Sequence, residues 1–109
     1  MLSLTMVLFA VAALGGITLA TLHLRHKSLP MALALVHGLV AAIALVLLIV
    51  VVAGGAMGTL TTAALVIFII AALGGFGLFS FYLRKKPLPT PLVYVHGLVA
   101  VVAFILLIA

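Results

Sequence analysis

All five formally charged residues of this 109-residue chain lie in two short clusters, Arg25 with Lys27 and Arg84-Lys85-Lys86, and the chain contains no Asp or Glu. What remains divides into four uncharged stretches: Leu2–Leu24, Met31–Val52, Thr59–Leu83 and Thr90–Ala109. A hydrocarbon layer about 30 Å thick is crossed by roughly 20 apolar residues in a helix, so each stretch is long enough to span it. Hydrophobic residues make up 70 % of the sequence, more than a water-soluble domain of this length could carry. The sequence therefore predicts an all-α integral membrane protein, a four-helix bundle forming a single membrane domain over 1–109.

The joins between spans carry turn residues. Ser28-Leu29-Pro30 precedes the second span, Ala53-Gly54-Gly55-Ala56-Met57-Gly58 precedes the third, and Pro87, Pro89 and Pro91 mark the start of the fourth. Proline suits the first turn of a helix, where its missing N–H costs nothing.

In a soluble protein a net charge of +5 would point to nucleic acid. Here the cations occupy only the two links between spans, and no nucleic-acid partner is expected. Positive residues are retained on the cytoplasmic side of a membrane. Both basic links are thus expected in the cytoplasm, with both chain ends and the Ala53–Gly58 turn outside, in a bacterial inner (plasma) membrane. The first span has no charged segment before it and cations after it, which argues for a retained helix over a cleaved signal peptide. Without cysteine there is no disulfide, no thiolate metal site and no attachment point for covalent haem.

An offset of 59 residues aligns the chain with itself. Ala12-Ala13-Leu14-Gly15-Gly16 falls on Ala71-Ala72-Leu73-Gly74-Gly75, and Leu24-Arg25 on Leu83-Arg84. Leu29-Pro30 falls on Leu88-Pro89, and Val36-His37-Gly38-Leu39-Val40-Ala41 on Val95-His96-Gly97-Leu98-Val99-Ala100. About half of the overlapping positions are identical, far more than shared hydrophobicity produces. The chain reads as two tandem helical hairpins, 1–52 and 59–109. Each has an even number of spans, so both cross in the same sense, and a pseudo-two-fold axis along the membrane normal is expected.

That axis puts equivalent residues at equal depth. At 1.5 Å per residue, His37 and His96 lie about 10 Å inside the basic ends of their helices, and Gly16 and Gly75 about 13 Å inside theirs. Helical spacing joins His37, Ala41, Ala44 and Leu48 into one stripe, matched by His96, Ala100, Ala103 and Leu107. Phe9, Ala12, Gly16, Leu19 and His23 form another, matched by Phe68, Ala71, Gly75, Leu78 and Tyr82. These shared stripes are expected to face inward.

An imidazole within a membrane is costly, faces the bundle interior and marks function by default. Two at equal depth on opposing helices make the axial ligand set of a six-coordinate haem b, with His37 and His96 as iron ligands between the second and fourth helices. Gly16, Gly38, Gly75 and Gly97 are expected to leave room for the flat porphyrin. Arg25 and Arg84 are placed to pair with its propionates, and His23 and Tyr82 to continue the inner stripe near them. His23 and His26 lack histidine counterparts and lie at the surface, so neither is expected to be a ligand. Met1, Met6, Met31 and Met57 fall near ends and turns, which argues against axial methionine. Thr5, Thr18, Thr59, Thr61 and Thr62 are expected to bond to their own helix backbone.

The His37/His96 pair and the four-helix architecture together resemble the cytochrome b561-like membrane proteins, in which histidines on neighbouring helices clamp haem. Those proteins commonly carry two such pairs, whereas this chain has one. The resemblance implies an electron-transfer protein holding one haem b and exchanging electrons with a quinone, a small oxidant or a larger redox complex. The length also resembles the small multidrug-resistance transporters, but they depend on a carboxylate within the membrane. The absence of Asp and Glu removes that reading, together with any carboxylate-based acid–base catalysis. A noncatalytic transmembrane scaffold, in which the histidines only pack, is the competing expectation.

Overall fold

A computed structural model describes residues 1–55 and 58–109. They form four helices: α1 (Leu2–Leu24), α2 (Met31–Ala53), α3 (Thr59–Leu83) and α4 (Thr90–Ile108). There is no strand among the described residues. All four helices are long and apolar enough to cross a membrane. Their bounds match the expected spans to within one residue, α2 running on to Ala53 and α4 ending at Ile108. Of the expected turn at Ala53–Gly58, Ala53 closes α2 and Gly55 turns with φ +81°. Ala56 and Met57 lie outside the described residues.

Proline starts α2 and α4 as expected, with Pro30 and Pro89 as N-caps and Pro91 in the first turn of α4. At the basic ends, α1 and α3 close alike. Lys27 N–H reaches back to Leu22 O and His26 N–H to His23 O, and the same two bonds run from Lys86 to Phe81 and from Lys85 to Tyr82. This is the Schellman arrangement, which needs a left-handed residue just past the cap. His26 and Lys85 supply it, both at φ +57°.

The helices form a square. α1 packs closely on α2 and α3 on α4, while α2 meets α3 and α1 meets α4 more sparingly. The diagonal partners are α1 with α3 and α2 with α4. Because every helix is apolar all round, rotation about its own axis is decided by packing and not by an apolar stripe. Large apolar side chains cover the outside, Phe76 being 70 % exposed.

The core occupies only one half of the bundle. Its buried members are Thr5, Phe9, Ala12, Ala44, Leu48, Ala64, Phe68, Ala71, Ala103 and Leu107. All lie toward the end remote from the basic links. Phe9 and Phe68 stack across the α1/α3 diagonal, and Leu48 and Leu107 pack beside them. Beyond Ala12 and Ala71 toward the basic links, no described residue is buried. Thr5, Thr18, Thr21 and Thr62 each donate to the carbonyl four residues earlier, so their hydroxyls are satisfied within the helix.

Candidate functional site: a pair of imidazoles at the edge of the core

His37 on α2 and His96 on α4 meet across the other diagonal, where the buried core ends. Their ring centroids are 6.4 Å apart and their planes stand at 89°. Each ring is anchored inside its own hairpin. His37 Nδ1 lies 2.8 Å from Ala12 O on α1, and His96 Nδ1 lies 2.8 Å from Ala71 O on α3. A carbonyl oxygen can only accept, so Nδ1 carries the proton and donates it. In the neutral ring Nε2 then holds an unshared lone pair. No described residue hydrogen-bonds to either Nε2, and neither nitrogen is sealed in the core.

The glycines of α1 and α3 admit these rings. A Cβ placed on Gly16 would come within 2.9 Å of His37 Cε1, and one on Gly75 within 3.1 Å of His96 Cε1. Gly15 and Gly74 also line the rings, 3.5 and 3.6 Å from the histidine Cβ atoms by the same measure. Gly16 and Gly75 stand at the depth of the histidines, as the helical rise predicts, where room for a flat ligand is expected. In the structure the imidazole of the same hairpin takes that space, because α1 lies tightly on α2 and α3 on α4.

Gly38 and Gly97 stand elsewhere. Both are exposed on the outer surface, with nothing within 4 Å of where a Cβ would sit. The reason is helical: each follows its histidine by one residue, about 100° around the axis, which turns it away from the interior.

His23 and Tyr82 continue the inner stripe and tie the two hairpins together near the basic end. His23 Nε2 lies 3.1 Å from Thr90 Oγ1 at the start of α4, and Tyr82 Oη donates to Leu29 O in the first link at 2.7 Å. Thr90 and Leu29 carried no signal of their own, since any residue with an oxygen at those places would serve. Arg25 is exposed at the end of α1. Arg84 is exposed too and folds back on its own helix, with Nε donating to Ser80 O at 3.3 Å and the guanidinium 5.0 Å from the centre of the Phe81 ring.

Sequence reasoning also missed the carbonyls of Ala12 and Ala71, which orient the imidazoles. The signal was present in the repeated Ala-Ala-Leu-Gly-Gly segment, but a backbone acceptor leaves no residue type to recognise. Among the described residues no group of three or more His, Cys, Asp or Glu comes together.

The sequence matches no family model and no curated protein, and the fold matches no solved structure.

Proposed function

We propose that this chain is an integral membrane electron-transfer protein in which His37 and His96 are the two axial ligands of one haem b, held between α2 and α4. One observation carries the reading: both imidazoles keep the proton on Nδ1 by donating to a carbonyl, which frees both Nε2 atoms as donors on facing helices. An imidazole binds a metal at about 2 Å, so rings on opposite sides of one ion have centroids about 6 Å apart. The observed separation of 6.4 Å suits that arrangement. The donor set fits the group, since two neutral imidazoles suit low-spin haem iron.

When bound, haem supplies a one-electron couple. The chain's own residues do the rest. His37 and His96 orient the group, and the Phe9–Phe68 layer closes the site on the side remote from the links. Arg25 and Arg84 stand at the basic end as partners for propionates, with His23 and Tyr82 on the stripe between them and the histidines. In this reading the pseudo-two-fold axis runs along the membrane normal, the basic links face the cytoplasm of a bacterial inner membrane, and a quinone or redox protein exchanges the electron.

The competing reading, a noncatalytic scaffold, draws on a different observation: each imidazole's one hydrogen bond and its glycine contacts stay within its own hairpin. Absorption of the detergent-purified protein separates the two. Haem ligation predicts a Soret band with a sharp α-band on reduction. A colourless preparation from haem-replete cells overturns it in favour of the scaffold.

A further inference from the structure

In an α-helix the Cα–Cβ bonds lean toward the N-terminus, so the side chains three and four residues on overhang a given carbonyl. That shielding keeps helix carbonyls from outside donors. Counted from Ala12, the two overhanging positions are Gly15 and Gly16; counted from Ala71 they are Gly74 and Gly75. Both positions lack a side chain in both hairpins, which opens a window onto one carbonyl per helix. The window is used in each case, by His37 Nδ1 and by His96 Nδ1, at 2.8 Å. Its fit is close, since a Cβ on Gly16 or Gly75 would press on the imidazole at 2.9 or 3.1 Å.

The geometry points to Ala12–Gly16 and Ala71–Gly75 as positioning elements that lock His37 and His96 in the Nδ1–H tautomer, so that both rings present an Nε2 lone pair to one metal centre. A ring without the window is free to carry its proton on Nε2, and a protonated Nε2 cannot ligate. The paired glycines thus act on the site through tautomer and ring orientation and not through space left for a ligand. The use of the lone pairs rests on the haem reading; the tautomer does not.

The test is 15N NMR of histidine-labelled protein in lipid nanodiscs, in the reduced, diamagnetic state when haem is present. His37→Ala and His96→Ala assign the signals. Expected are a protonated Nδ1 and an unprotonated Nε2 on both residues, whether or not the protein is coloured. In Gly16→Ala the His37 signals should change to the Nε2–H form or to a mixture while those of His96 stay, and haem affinity should fall about 10–100-fold, as for the loss of a partner behind a metal ligand. Gly77→Ala is the control, because its Cβ would meet Leu92 at an ordinary 3.7 Å. An Nε2–H tautomer in the wild-type protein overturns the inference even if Gly16→Ala fails to insert, and so does a folded Gly16→Ala that keeps the wild-type His37 signals. Failure of the haem reading shows separately, as a colourless protein whose two rings still carry Nδ1–H.

Discussion

The rings of Phe9 and Phe68 lie face to face across the α1/α3 diagonal, 3.8 Å between centroids and 5° from parallel. They close the bundle on the far side of the imidazole pair. In lipid the separated helices are already in an apolar solvent, so truncating either ring forfeits packing and leaves a cavity but loses little transfer energy. Phe9→Ala or Phe68→Ala should therefore cost about 1–3 kcal/mol, below the usual figure for a water-soluble core. Phe76→Ala, at an outward-facing ring, should cost almost nothing. Unfolding by SDS titration from mixed micelles measures all three, and equal losses at Phe9 and Phe76 would contradict the buried stack.

The ligand assignment predicts a dependence on both histidines. His37→Ala and His96→Ala should each remove six-coordinate low-spin haem, because each supplies one axial bond and no methionine or cysteine stands at that level. His26→Ala should leave the spectrum unchanged. Optical and EPR spectra of the three variants check this. Wild-type low-spin spectra from both intramembrane variants would show that the ligands lie elsewhere.

His26 and Lys85 occupy left-handed positions that ordinarily go to glycine. An L-residue pays about 1–2 kcal/mol for that conformation, part of which glycine returns through the greater freedom of the unfolded chain. His26→Gly and Lys85→Gly should each stabilise the protein by about 0.5–1 kcal/mol. Thermal unfolding in detergent reads the gain, and a loss in both variants would count against the Schellman ends.

Two cross-hairpin bonds hold the basic end, His23 with Thr90 and Tyr82 with Leu29 O. Tyr82→Phe and Thr90→Val should each cost about 0.5–1.5 kcal/mol, the net worth of one hydrogen bond. Because these bonds join the hairpins, both variants should also raise hydrogen exchange at the starts of α2 and α4 before the rest of the bundle responds. Exchange that rises uniformly would assign the two side chains no clasping role.

The proposed orientation in the membrane rests on the basic links. A reporter fused after Ala109 should register as periplasmic, and a tag inserted between Lys27 and Ser28 should be reachable only from the cytoplasm. The opposite pattern would place the imidazole pair nearer the outer face, with its internal geometry intact.

Much of this was legible along the chain. Four uncharged stretches give the helix bounds, because length and apolarity alone decide what can span, and the 59-residue offset sets His37 level with His96 because helical rise is constant. Rotation about each helix axis was legible only through the repeat: the stripes shared by both hairpins hold Phe9, Ala12, Ala44 and Leu48 with Phe68, Ala71, Ala103 and Leu107, and these are buried. Apolarity alone announces no face, since the helices are apolar on every side, and only packing of the assembled square decides that each hairpin's own imidazole fills the space beside Gly16 and Gly75. The partners of His37, His96 and Tyr82 are backbone oxygens, which every residue carries. Tertiary structure alone could decide that the carbonyls of Ala12, Ala71 and Leu29 are the ones they meet.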